Sequence, residues 1–157
     1  MLARTHLAFA LLSGLFAIDH IDIHNKIAFF VFVLVGALII DIDHPKSKLG
    51  RKIGFVSGFF RFLFGHRGLF HSIFFTLMIS YLVYSYNHEY GIALFIGCLS
   101  HLFADGLTKQ GINFLHPVSK LHLSGFVETG GFLETVLFLV ISLIITIKLY
   151  ILAIAVL

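Results

Sequence analysis

The sequence has little of what a soluble domain ordinarily contains. Only 12% of its 157 residues are charged, 59% are hydrophobic, and the mean hydropathy is +1.00, which is far more apolar than a soluble domain of average composition. Its single cysteine, Cys98, lies inside an apolar run, so neither a disulfide nor a cluster of thiolates is available. These shortages predict an integral membrane protein in which any metal is held by nitrogen and oxygen ligands.

The sequence also shows no internal repeat, low-complexity tract or second domain, so residues 1–157 are expected to form one transmembrane domain. The first apolar run is followed by Asp19-His20-Ile21-Asp22, without the small residues of a signal-peptide cleavage site. We therefore expect that run to be a retained helix. The formal charge of +3 does not indicate a nucleic-acid partner, because basic residues beside membrane spans more often set topology and meet anionic lipid.

Five apolar runs predict an all-α, polytopic membrane protein with about five transmembrane helices. Several runs have only about 14–17 residues, at or below the roughly 17–25 needed to cross a bilayer, so their polar ends are counted as helix too. The runs are residues 2–18, 27–40, 69–86, 91–104 and 132–157.

A basic and aromatic segment, residues 48–64, separates the second run from the third. It mixes basic residues with five phenylalanines, a composition that predicts an amphipathic helix lying in the membrane interface. An ordinary basic loop is the alternative. The residues are Arg51, Lys52 and Arg61 with Phe55, Phe59, Phe60, Phe62 and Phe64.

Lysine and arginine counts predict the orientation. Residues 41–68 hold six of these cations, whereas residues 19–26 hold one and residues 87–90 hold none. By the positive-inside rule the basic segment is cytoplasmic. With five spans, the N-terminus and residues 106–131 are then cytoplasmic as well, and the C-terminus lies outside the inner membrane.

Ionisable side chains at this cytoplasmic face are candidate site residues, because a charge in or near hydrocarbon costs roughly 2.5–3.5 kcal/mol and needs a reason. A smaller set, which includes His24, His88 and Glu89, falls on the opposite side. The candidate metal ligands are His6, Asp41, His44, His66, His71, His101, Asp105 and Glu134, and the candidate catalytic residues are Asp43, Arg67 and Glu134.

The spacing of these residues suits metal binding. His101 and Asp105 are four residues apart, and Asp41 and His44 are three apart, so each pair projects from one face of a helix. Asp43 points in another direction, and we expect its carboxylate either to hydrogen-bond to a metal ligand or to bridge metal ions. Gly65 and Gly68 allow His66 to fold back on a turn toward His71.

Mixed imidazole and carboxylate ligands fit Zn²⁺ best, with Mn²⁺ or Fe²⁺ as alternatives, and disfavour Ca²⁺ or Mg²⁺ alone. The ligands are numerous enough for one or two ions, and paired ions activate water and clamp the oxygens of a phosphate ester. Arg67 suits a bidentate grip on phosphate, although anchoring to lipid headgroups would explain it equally well.

These residues resemble the YdjM-type membrane-bound metal-dependent hydrolases of bacteria and archaea. The resemblance covers nearly the whole chain and implies a metal site and hydrolase activity. The His101 and Asp105 spacing also looks like that of zinc-dependent phospholipase C and related single-strand nucleases, which points to phosphoester chemistry. The matching elements are Thr5-His6, Asp41-Ile42-Asp43-His44-Pro45, His66-Arg67-Gly68 with His71-Ser72, His101 with Asp105, and Glu134.

We therefore expect a membrane-embedded hydrolase that acts on a lipid or lipid-linked phosphoester at the cytoplasmic face. A divalent-metal transporter is one alternative, but its ligands should continue through the bilayer along a path, and the middles of the spans carry little beyond Ser13, Thr76 and Ser80. A membrane scaffold whose metal only ties helix ends together is the other. The substrate, the metal, the general base and the oligomeric state are left open.

Overall fold

The structure is a computed structural model, and it describes residues 1–43 and 69–156, without the side chains of residues 42, 43 and 156. In this part of the chain all regular structure is helical, as predicted, and each of the five predicted helices is present. They are α1 (Ala3–Ala17), α2 (Lys26–Ile39), α3 (Ile73–Tyr86), α4 (His88–Gly106) and α5 (Phe132–Val156); short 3₁₀ turns, Ile40–Asp43 and Leu69–His71, follow α2 and precede α3.

Three helices begin at a polar side chain that caps the first turn. The side-chain oxygens of Asn25, Ser72 and Asn87 accept hydrogen bonds from backbone N–H groups three residues later, at 3.0–3.3 Å. Such caps satisfy donors that the helix itself leaves without a partner. Helices α2, α3 and α4 therefore begin directly after Asn25, Ser72 and Asn87.

Helix α4 is the centre of the bundle and packs against α1, α2 and α3. Its closest approach is to α2: a Cβ placed on Gly97 would lie 2.0 Å from the Val33 carbonyl oxygen, and one on Gly36 would lie 2.5 Å from the Leu94 carbonyl oxygen. Only glycine fits at these two positions. The close crossing brings the backbone of α2 within reach of the side chains of α4.

Contacts at both ends of α1 and α5 show that these two helices run parallel. At one end, the Leu2 backbone N–H donates to Glu134 Oε1 at 2.7 Å. Toward the other end, Lys148 forms an ion pair with Asp19. We call the first end the site end, because α1, α3 and α5 begin there and α2 and α4 finish there, and the opposite end the far end.

Membrane crossing is clearest for α5. Among the described helices only α5 is both long and apolar enough to span a bilayer, over Phe132–Ala155, and little of its most apolar part is buried in the protein. Helices α1, α2 and α3 are apolar but have 14–15 residues each, about 21–22 Å at 1.5 Å per residue. The prediction of five spans therefore stays a prediction for the first four helices, and the interfacial helix predicted at residues 48–64 lies outside the described residues.

Candidate metal centre

Five of the predicted ligands meet at the site end of the bundle. The side chains of His6, His71, His101 and Asp105 are buried and that of Asp41 is nearly so. The Nε2 atoms of His71 and His101 each lie 3.6 Å from Asp105 Oδ2, and they lie 3.6 and 3.8 Å from Asp41 Oδ1. The structure thus brings together imidazoles and carboxylates from α4 and from the turns beside α2 and α3.

The backbone of α2 sets the orientation of His101. Its Nδ1 lies 2.6 Å from the Ala37 carbonyl oxygen. Because a carbonyl only accepts hydrogen bonds, Nδ1 carries the proton of the neutral ring, and Nε2 presents a lone pair. An imidazole held in this way by a second hydrogen bond is the usual arrangement of a metal-bound histidine.

The lone pair on His101 Nε2 faces carboxylate oxygens. This nitrogen is buried and has no hydrogen-bond partner among the described residues. Acceptors that face one another in a buried site repel unless a cation lies between them. Ligand atoms around a tetrahedral Zn²⁺, with bonds of about 2.0–2.1 Å, are about 3.3–3.4 Å apart, and the observed 3.6–3.8 Å is within about half an ångström of that spacing. The donor set and its geometry therefore fit a divalent metal ion.

His6 occupies the opposite side of His101. Their rings stack with centroids 3.8 Å apart and an interplanar angle of 7°, and His6 Nε2 lies 3.3 Å from Asp105 Oδ1. The amino group of Met1 lies 2.6 Å from the same oxygen. Two sets of residues that could hold an ion result, His6 with Asp41 and His101, and His71 with His101 and Asp105. Both sets require His101.

Asp41 is the ligand nearest to solvent, with 24% of its side chain exposed, compared with 1% or less for the other four. Among these five side chains, Asp41 is therefore the one that solvent can reach.

Glu134 was predicted as a ligand and catalytic residue, but the structure gives its carboxylate other partners. Oε1 accepts hydrogen bonds from the Leu2 backbone N–H and the Thr5 hydroxyl, both at 2.7 Å, and Oε2 accepts one from the Gly130 backbone N–H at 2.6 Å. Three donors thus surround this buried carboxylate, which joins the start of α5 to the start of α1. Glu134 is in neither of the two ligand sets.

These contacts predict a structural effect for Glu134→Ala. The substitution leaves three partly or fully buried donors without their acceptor, at about 1–3 kcal/mol for each that stays without a partner, so the unfolding temperature should fall. Metal content should remain that of the wild type. Thermal unfolding and elemental analysis of the same preparation check both results, and loss of the ion with little change in stability would restore Glu134 as a ligand.

The remaining predicted site residues are not placed by the structure. His44, His66 and Arg67 lie outside the described residues, as does the side chain of Asp43. Sequence reasoning missed one contributor, the Ala37 carbonyl, because a backbone group carries no residue-specific signal. The glycines Gly36 and Gly97 were the available hint, since small residues permit close helix packing in membranes.

The predicted second group of ionisable residues lies at the far end. His24 Nδ1 is 2.5 Å from Glu89 Oε1, and the hydrogen bond and charge of Glu89 raise the pKa of His24. His24 is 87% exposed, so this contact is a surface link between the α1–α2 loop and the start of α4. The site residues and the far-end residues are therefore separated by the length of the bundle, as the sequence predicted.

Comparison with known proteins assigns the chain to a family. A sequence model described as YdjM inner membrane protein matches residues 1–157. The chain is 42% identical over 85 residues to YvsG of Bacillus subtilis (strain 168), covering 53% of each protein. It is 35% identical over 91 residues to inner membrane protein YdjM of Escherichia coli (strain K12), covering 54% of this chain and 46% of that protein.

The chain thus spans about half the length of the curated relatives it matches. No solved structure matches it. The family match extends over all five helices and over every residue of the candidate metal centre. The chain belongs to the YdjM family of inner membrane proteins.

Proposed function

We propose that this protein is a membrane-embedded, metal-dependent hydrolase that cleaves a phosphoester of a lipid or lipid-linked substrate. One observation carries the proposal: the buried, correctly oriented Nε2 of His101 faces the carboxylates of Asp41 and Asp105. A cluster of this kind inside an apolar bundle is costly unless it binds something. The membrane family supports the lipid environment.

We propose that the centre holds one ion. Nδ1 of His101 is engaged by the Ala37 carbonyl, which leaves one nitrogen for the two ligand sets that share this residue. His71, His101, Asp41 and Asp105 would hold the ion, and Zn²⁺ suits this ligand set best, with Mn²⁺ and Fe²⁺ as alternatives. Such an ion, when bound, lowers the pKa of water toward neutrality and polarises a phosphoryl oxygen.

The exposed edge of Asp41 gives substrate a side from which to approach, while the buried faces of His71 and His101 exclude bulk water from the rest of the centre. This asymmetry favours an open, catalytic site over a closed, purely structural one. It also disfavours a transporter, because the potential ligand groups found among the described residues lie at the site end instead of continuing through the bundle.

We further propose that all five helices cross the membrane with the site end on the cytoplasmic side. The alternating helix directions support this arrangement, and the excess of lysine and arginine in residues 41–68 supports its orientation. The short helices can cross with a locally thinner bilayer or with their polar ends counted as span. A substrate headgroup would then enter from the cytoplasmic leaflet.

The direct test is an assay of metal-loaded protein, purified in detergent, against a panel of phospholipids and lipid-linked phosphates. Hydrolysis of at least one phosphoester, lost on chelation and restored by Zn²⁺ or Mn²⁺, is expected. Arg67→Ala should keep the metal, because a guanidinium has no lone pair for a cation, yet lower turnover by about 10²–10³, the usual cost of one lost charge-stabilising contact. If the metal-loaded protein hydrolysed no substrate of the panel, the proposal that it is an enzyme would be rejected.

A further inference from the structure

The loop between α4 and α5, residues 107–131, has a defined backbone fold. Ile112 and Leu123 exchange both of their backbone hydrogen bonds, at 2.8 and 2.9 Å, and Val127 pairs with Leu107 and Lys109 at 3.0 and 2.9 Å. Ile112 and Val127 are buried, which anchors the loop on the bundle. The loop is therefore held against the site end, next to the last residues of α4.

This loop nevertheless turns large apolar side chains away from the protein. Phe126 is 70% exposed and Val118 is 75% exposed, and Leu121 and Leu123 are 47% and 40% exposed. Phe126 is exposed although the next residue, Val127, is buried. These exposed apolar residues all lie within residues 118–126, a segment that also includes the exposed cation of Lys120.

The far-end loop, residues 18–25, behaves in the opposite way. Its isoleucine Ile23 is 5% exposed, Ile18 and Ile21 pack against the buried core, and its surface is made by Asp19, His20, Asp22 and His24. Within one molecule, one loop thus hides its apolar residues and presents charge, while the other presents apolar residues. A difference of this kind indicates different surroundings for the two loops.

We propose that residues 118–126 insert their apolar side chains into the lipid interface of the leaflet at which the metal centre lies. The loop leads into α5, whose first residue, Phe132, is 81% exposed and which is long and apolar enough to cross a membrane. The exposed apolar start of α5 thus follows the exposed loop residues after only five residues, 127–131. Lys120 is placed to meet anionic headgroups, which is worth about 1 kcal/mol for each basic residue near the surface.

This placement deepens the proposed function by naming the lipid phase as the side from which substrate arrives. The loop is tied to the centre: the Phe114 carbonyl accepts a hydrogen bond from the Ile73 backbone N–H at 2.9 Å, two residues beyond His71. A headgroup held beside the loop would lie in the same leaflet as Asp41. The lipid contact itself requires neither metal nor hydrolysis, so it can be tested separately.

The chain contains no tryptophan, so one introduced indole reports on its own surroundings. We would place Phe126→Trp and, as a matched control, His20→Trp in the exposed far-end loop. Each variant is reconstituted in vesicles of phosphatidylethanolamine and phosphatidylglycerol, with or without brominated acyl chains. Brominated lipid should quench the emission of Phe126→Trp and shield it from iodide, whereas iodide but not brominated lipid should quench His20→Trp.

Quenching of Phe126→Trp by brominated chains supports the proposal, and its absence overturns it. If iodide quenches instead, the loop faces water. If neither quenches, protein covers the loop, either a second copy or another part of this chain. Val118→Trp provides a second position should Phe126→Trp fold poorly. A protein that hydrolyses nothing would still give the lipid result, so failure of the two proposals is distinguishable.

Discussion

His101→Ala is expected to abolish metal binding and turnover together. The residue supplies the one nitrogen that both ligand sets share, whereas His71, which lies equally close to Asp41 and Asp105, belongs to only one of them. Loss of an outer partner costs about 10–100-fold in metal affinity or activity, so loss of this ligand should cost more. Elemental analysis and the lipid-phosphoester assay on the same preparation measure both quantities.

His88→Ala is the matched control, because His88 is the first residue of the same helix α4 and lies at the far end. It should keep the wild-type metal content and activity. Asp105→Ala should behave like His101→Ala, since its Oδ2 lies 3.6 Å from the Nε2 atoms of both His71 and His101. Equal impairment of the His88 and His101 variants, or full metal in the latter, would contradict the assignment.

Gly97→Ala is expected to weaken both the fold and the metal site, although Gly97 contacts no ligand directly. Its new Cβ would lie 2.0 Å from the Val33 carbonyl oxygen, so α2 and α4 must separate. Overpacking of this kind typically costs about 1–3 kcal/mol. The separation would also draw the Ala37 carbonyl away from His101 Nδ1, with an expected loss of about 10–100-fold in metal affinity.

Gly106→Ala is the control for this effect, because Gly106 is also in α4 and a Cβ there meets nothing within 4 Å. Its unfolding temperature should equal or exceed that of the wild type, since alanine favours the helix over glycine. Thermal unfolding and metal titration of the two variants give the comparison. The close crossing would be unimportant for the site if Gly97→Ala and Gly106→Ala bound metal equally well.

Much of this architecture was predictable because each helix corresponds to one run of apolar residues with polar residues at its ends. The apolar runs predicted five helices to within a few residues of their observed bounds. Alternating helix direction then put His6, Asp41, His71, His101 and Asp105 at one end, and the structure brings these five together. The alternating direction of consecutive helices was sufficient to predict that these residues lie at the same end of the bundle.

The role of Glu134 was harder to foresee, because a carboxylate near the start of a helix is equally suited to capping and to metal binding. Its three donors come from Leu2, Thr5 and Gly130, and two of them are backbone groups that carry no residue-specific signal. The orienting Ala37 carbonyl was hidden for the same reason. Contacts between a side chain and a distant backbone depend on how closely helices pack, which periodicity does not reveal.

The central claim, that this bundle binds a divalent metal ion, is tested most directly by the metal content of the purified protein. We would purify the full chain in detergent without chelators, incubate it with Zn²⁺, Mn²⁺ or Fe²⁺, remove unbound ions and count bound metal per chain by elemental analysis. The single shared nitrogen of His101 predicts one tightly held ion per chain, absent from His101→Ala. A folded wild-type protein that retains none of these ions would contradict the account.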